Sequence, residues 1–196
     1  MGKIFCLMGK SSSGKDTIYK ELLRNKKIPL KKIVSYTTRP IRAGEEDGVQ
    51  YFFRTEEDVR KLEAENKIIE LRTYDTCHGP WKYFTVKDHQ IDLAASDYLV
   101  IGTPESFVSM REYFGKDIVI PIYIDLDDGL RLQRALDRER SQEEPKYEEM
   151  CRRFLADAKD FSAEKMQKYD IKESFYNDNL EHCLDEIESF MMAKVK

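Results

Sequence analysis

The sequence predicts an α/β protein, with a mostly parallel sheet that carries helices on both faces. Two observations lead to this. Apolar runs recur at residues 3–8, 32–36, 97–101 and 118–124, with amphipathic stretches between some of them. That rhythm belongs to alternating strand and helix. The first run also passes at once into G-K-S-S-S-G-K-D at residues 9–16, and then into a helix-like stretch from Lys15 to Arg24. Strand, tight glycine loop and helix, in that order, form the context of an anion-binding loop.

Residues 3–8 (KIFCLM) are short and apolar, as expected of a buried parallel strand, and Cys6 reads as strand core. The loop that follows matches G-x-x-x-x-G-K-[ST], except that Asp16 stands where Ser or Thr is expected. In such a loop the backbone N–H groups of residues 11–15 point inward around a phosphate, and Lys15 reaches the outer phosphates. Gly9, Ser11, Ser12, Ser13, Gly14, Lys15, Asp16 and Thr17 are therefore the candidate donor-site residues. The bland alternative is a solvated Ser/Gly/Lys loop.

Residues 36–86 break the rhythm. They are turn-rich and aromatic, with strand-like pieces near 50–54, 68–74 and 82–86 and a helix at 55–66. That helix opens with Thr55 and has Asp58 three positions on, close to a capping box. Residues 127–153 break it again: they are almost all charged, with arginines at 131, 134, 138, 140, 152 and 153. A final helix is expected at 179–193, packed on the sheet.

Composition limits the function. A chain of 196 residues with 41 % hydrophobic content can build one compact domain with small insertions. The net charge of −4 shows no basic excess, so neither nucleic acid nor a membrane is an expected partner. No leader or membrane-length apolar run is read. The four cysteines form no C-x-x-C pair, which fits a reducing cytoplasm. Cys77 beside His78 does not make a zinc site.

A second constellation lies at residues 34–53. Arg39 and Arg42 flank Pro40, and two guanidinium forks on a stiffened loop suit a phosphate dianion. Ser35 and Tyr51 add neutral donors, and Glu70, ending the run K-I-I-E, can accept from a base edge. Ordinary surface ion pairs are the competing interpretation.

The stretch S-Y-T-T-R-P-x-R-x-G-E-x-D-G-x-x-Y-x-F at residues 35–53 resembles the acceptor signature of guanylate kinases, and the resemblance extends over nearly the whole chain. It implies a P-loop kinase fold: a mostly parallel five-stranded core sheet flanked by helices, an inserted mixed α+β acceptor-binding subdomain and a helical lid. The divisions would be core at about 1–33, 87–126 and 154–196, acceptor subdomain at about 34–86 and lid at about 127–153. It implies ATP as donor, Mg2+ as cofactor, GMP as acceptor, and a monomer or homodimer. Ser35, Arg39, Arg42 and Tyr51 would hold the GMP phosphate, and Glu70 would read guanine. Tyr83 and Thr85 resemble the phosphate-contacting Tyr and base-contacting hydroxyl of a Y-Y-G-[ST] motif. Arg134 or Arg138, with Arg153, resemble the lid arginines that act with Lys15 and Arg39 in catalysis. Asn177 of Y-N-D-N-L resembles the family Asn near the ATP adenine.

The chain departs from that pattern at four places. Asp16 replaces the magnesium-ligating hydroxyl; a carboxylate can hold the ion directly or through water, and Thr17 then faces the inner phosphate. Residues 75–82 (DTCHGPWK) resemble an insertion before Tyr83, with Phe84 in place of Gly; His78 and Trp81 there either stack on a base or pack locally. Thr103 stands where an acidic residue contacts base or metal. R-E-R-S at residues 138–141 replaces R-G-x-D in the lid. The loop with Asp after Lys is also similar to that of ribose 1,5-bisphosphate phosphokinases. Another phosphorylated acceptor, and a non-catalytic binding module of the same fold, are the alternative functions.

Overall fold

The computed structural model describes residues 1–76 and 79–195. Its strands are β1 (Ile4–Gly9), β2 (Leu30–Lys32), β3 (Tyr36–Thr37), β4 (Phe52–Phe53), β5 (Ile68–Thr76), β6 (Gly79–Val86), β7 (Asp97–Ile101), β8 (Val119–Asp125) and β9 (Ser174–Tyr176). Its helices are α1 (Lys15–Arg24), α2 (Glu56–Ala64), α3 (Pro104–Phe114), α4 (Asp128–Arg140), α5 (Tyr147–Asp160), α6 (Ala163–Lys168) and α7 (Leu180–Lys194).

The core sheet has the order β2-β7-β1-β8-β9, and every pairing in it is parallel. β1 is central and buried on both faces, which is why it reads as an unbroken apolar run. Its side chains alternate between two cores. Phe5 and Leu7 pack with Ile18 and Leu22 of α1 and with Cys183, Ile187 and Met191 of α7. Ile4, Cys6 and Met8 pack with Phe107 and Met110 of α3. The expected five-stranded α/β fold is therefore the observed one.

A second sheet, β4-β3-β6-β5, hangs from the first and has its own small core of Tyr36, Val59, Phe84 and Val86. The β5–β6 hairpin is the long arm of this sheet. The described residues of the suspected insertion at 75–82 extend it, with Asp75 pairing Pro80 and Trp81 pairing Tyr74. His78 and Cys77 lie outside the described residues. The capping box on α2 forms as expected, with Thr55 and Asp58 bonding each other's backbone, a device typically giving about 1 kcal/mol.

The apolar run at 32–36 is not one strand. Leu30–Lys32 pairs with β7, Tyr36–Thr37 joins the second sheet, and residues 33–35 cross between them. The crossing is buried without a strand neighbour at Val34. Gln90 supplies the missing partners, accepting from the Val34 N–H at 2.9 Å and donating to its carbonyl at 3.3 Å. Hydrophobicity reported burial here, while pairing was decided elsewhere. The fifth strand, β9, is only three residues long and carried no periodic signal.

Candidate active site

The donor loop leaves the C-terminal end of β1. Gly9 is needed there because a Cβ would lie 2.7 Å from the Ser13 Oγ and 3.0 Å from the Ile124 carbonyl. Gly14 caps α1 in the left-handed region at φ 89°, and a Cβ on it would strike Asn177 Nδ2. The loop is braced from outside. Asn177 is buried and donates to the Ser13 carbonyl at 2.7 Å. Arg131 is almost fully buried, donates to the Ser11 carbonyl at 2.9 Å, and pairs with Asp128 at 2.6 Å. Asp157 accepts the Ser11 N–H at 2.7 Å.

The expectation that all N–H groups of residues 11–15 face a phosphate is corrected at two positions. Ser11 gives its N–H to Asp157, and Ser13 gives its own to the Lys10 carbonyl at 3.2 Å. These bonds shape the loop and take two of the five N–H groups away from a phosphate. Two hydroxyls, Ser12 Oγ and Ser13 Oγ, are buried with no hydrogen-bond partner. Buried polar atoms without partners are costly unless a ligand satisfies them. Lys15 is half-buried, and its ammonium lies 3.8 Å from Asp16, whose side chain is 75 % exposed. Thr17 is exposed on the first turn of α1.

Of Arg134, Arg138 and Arg153, the three arginines expected to act from residues 127–153, Arg134 is the one brought to the loop, with Nη1 3.9 Å from the Cβ position of Gly14. Arg138 is exposed one turn farther along α4, its guanidinium 4.0 Å from Glu139. Arg153 is tied to Glu149 at 2.9 Å. It sits one turn before Asp157, so it shares the α5 face that meets the loop. α5 runs without a break through residues 153 and 154.

On the facing sheet, Arg39 is buried and already paired. Its two terminal nitrogens grip Glu45 at 2.9 and 2.8 Å, and it lies over the rings of Tyr51 and Phe53. The Arg39 guanidinium holds the Glu45 carboxyl below the usual carboxylate range. Tyr83 stands edge-on to Tyr51 with ring centres 5.6 Å apart. Arg42 is exposed, Ser35 is half-buried, and the Ser35 carbonyl accepts from the Phe52 N–H at 2.9 Å. Burial, and then the neighbouring Tyr51, push the Tyr19 phenol of α1 up to about 12. Burial, and then Tyr83, push the Tyr51 phenol up as well.

Deeper in, Glu70, Thr85 and Thr103 converge. Thr85 donates to Glu70 at 2.9 Å. Thr103 caps α3, exchanging bonds with Ser106. A residue that sequence reasoning missed joins them: Arg72 donates to Glu70 at 2.9 and 3.3 Å and to Thr103 Oγ1 at 3.3 Å. Its signal was period-two spacing, which puts Glu70 and Arg72 on one face of β5. Arg131 was noted only as one of a charged series. Its burial depends on Phe154, Asp128 and Asp157 closing round it, which no local pattern shows.

The guanylate kinase family model matches residues 1–90. The chain is 27 % identical to the guanylate kinase of Caldanaerobacter subterraneus subsp. tengcongensis, over 98 % of this chain and 88 % of that one. It is 29 % identical to the guanylate kinase of a Synechococcus strain, over 97 % and 82 %. The crystal structure of guanylate kinase from Anaplasma phagocytophilum superposes with a TM-score of 0.70 at 22 % identity, covering 99 % of this chain and 86 % of that one.

The chain is thus similar to guanylate kinases over nearly its whole length, with the family model itself confined to the first 90 residues. Within a guanylate kinase frame, the departures acquire places. Thr103 is a helix cap bonded to Arg72, and Asp75, Thr76, Gly79 and Pro80 pair across the β5–β6 hairpin. No helix among the described residues is long and apolar enough to cross a membrane.

Proposed function

We propose that this protein transfers the terminal phosphoryl group of ATP to GMP, forming GDP. The observation that carries this is the apposition of two unlike sites. A loop with two unsatisfied buried hydroxyls opens α1, whose Tyr19 lies near Tyr51, and the sheet that holds Tyr51 also carries Arg39, Tyr83 and the buried Glu70–Thr85 pair.

Phosphoryl transfer is mainly positioning and charge stabilisation. The cradle and Lys15 hold the donor phosphates, with Arg134 beside Gly14. Arg39, Arg42, Ser35 and Tyr51 hold the acceptor phosphate, whose own oxygen attacks, so no side-chain nucleophile or general base is needed. Arg138 and Arg153 approach on lid closure, when exclusion of water protects the donor from hydrolysis. Asn177 braces the loop through Ser13 rather than reading the adenine. The moving parts divide at about residues 34–86 and 127–153, with the remainder as core.

Magnesium would be bound mainly by donor phosphates and water, with Asp16 as the protein ligand. That fits the residues present: the Asp16 carboxylate is accessible, and the described residues hold no cluster of three or more Asp, Glu, His or Cys able to cage a metal alone. When bound, the ion supplies charge neutralisation across the phosphates.

The deciding experiment is an ADP-release assay with ATP and, in turn, GMP, dGMP, AMP, UMP and ribose 1,5-bisphosphate. GMP-dependent turnover well above the others is expected. Turnover only with the ribose bisphosphate would move the protein to that second acceptor class, which Asp16 after Lys15 favours.

A further inference from the structure

We infer that Arg72 sets which acceptor bases this site takes, selecting 6-oxopurine monophosphates with little regard for the 2-amino group. The inference rests on the nucleoside monophosphate kinase function proposed above.

The argument is a count of hydrogen-bonding positions. A carboxylate has about four lone-pair positions. Glu70 Oε1 accepts from Thr85 Oγ1 at 2.9 Å and from Arg72 Nη2 at 3.3 Å, and Oε2 accepts from Arg72 Nε at 2.9 Å. One position is left. Guanine presents N1–H and a 2-amino N–H side by side, and a single remaining position takes only one of them.

Arg72 has five N–H groups. Two bond Glu70 and one bonds Thr103 Oγ1, while Tyr74 lies beside the guanidinium. One N–H on each terminal nitrogen remains, so a donor is left for a ligand. The pocket thus offers one acceptor beside one donor. That matches the N1–H and O6 shared by guanine and hypoxanthine. Adenine presents the reverse order, an acceptor at N1 beside the 6-amino donor.

The pair stays intact when ligand binds. The Glu70 and Arg72 side chains are only 2 % and 14 % exposed, and stripping one from the other would strand a buried charge. The other groups facing them are Cys6 of β1, Thr85 of β6 and Thr103 at the start of α3. Burial pushes the Cys6 thiol up to about 12, so it brings no charge. Arg72 therefore acts both through Glu70, as a positioning residue, and directly on the base.

The test is steady-state ADP release at saturating ATP, with GMP, IMP and AMP as acceptors, for the wild type, Arg72→Met and Arg72→Lys. The wild type is expected to use GMP and IMP with kcat/KM within about tenfold, and AMP at least about a hundredfold less well. Arg72→Met should raise KM for both 6-oxopurines about tenfold or more. IMP should suffer more than GMP, because the freed Glu70 positions can then take the 2-amino group. The KM for ATP should stay near wild type, and Arg72→Lys should recover part of the loss. Wild-type rejection of IMP by about a hundredfold or more overturns the inference. So does an Arg72→Met KM for GMP within about twofold of wild type, or ATP and GMP constants moving together. If Arg72→Met does not fold, the wild-type base series and Arg72→Lys still decide. A wild type inactive on GMP and IMP alike defeats the function proposal itself, whereas an active enzyme indifferent to residue 72 defeats only this inference.

Discussion

In the proposed reaction the loop at residues 9–16 is the donor loop and the sheet β4-β3-β6-β5 the acceptor sheet, and the two would hold a phosphorylated ligand by different means. The donor loop uses backbone. Its glycines let the chain turn tightly, and its two buried hydroxyls are left without partners. The acceptor sheet uses side chains, and its buried cations arrive already paired, Arg39 with Glu45 and Arg72 with Glu70. A backbone cradle spends no side-chain entropy and recognises any phosphate. A pocket of paired charges costs desolvation but discriminates by the few positions it leaves open.

The largest effect should fall on the donor side. Lys15→Ala is expected to lower turnover by at least about 10²–10³-fold at any GMP concentration, read as ADP release. Near-wild-type turnover would break the donor half of the comparison. Next comes the brace behind the loop. Arg131→Met leaves Asp157 and the Ser11 carbonyl without their cation, and about 2 kcal/mol of stability should be lost in thermal or urea melts, discounted because Asp128 is half exposed. A melt unchanged from wild type would make Arg131 a bystander.

On the acceptor side, Glu45→Gln removes the charged partner of Arg39. The KM for GMP should rise about tenfold while that for ATP holds, as one charged hydrogen-bond pair warrants. Equal shifts in both would mean that the pair supports the fold and not the acceptor. Asp16→Ser should keep turnover within about threefold of wild type, because Asp16 is largely exposed. A collapse of the magnesium-dependent rate would instead show a ligand adapted to the ion.

The smallest effect is predicted on α5. Hydrogen bonds from Arg152, and then Arg153, lower the Glu149 carboxyl from 4.5 to about 2. A lowered carboxylate stabilises the folded state above its ordinary value and loses that contribution as pH falls through the folded one. Glu149→Gln should therefore cost less than about 1 kcal/mol at neutral pH, the pair being exposed, and the gap should close between pH 4.5 and about 2. A gap that persists at the acid end would point to packing.

How legible each site was follows from this contrast. Gly9, Gly14 and Lys15 lie within one seven-residue stretch, and their demands are local: a turn, a left-handed cap, a helix start. The capping box of Thr55 and Asp58 was legible for the same reason. The split of residues 32–36 was not, because two sheets compete for one apolar run and Gln90, far along the chain, settles the matter. Arg39 and Glu70 were legible as candidates, but their partnered state was not.

Alone, the sequence determined the α/β rhythm, the donor cradle and the list of charged residues around the acceptor, all of which depend on spacing along the chain. Only the tertiary structure decided which charges neutralise which. Arg72 meets Thr103 thirty-one residues away, and Arg131 meets Ser11 across 120. Coulomb energy and desolvation depend on distance and burial in space, and neither is written in the order of residues.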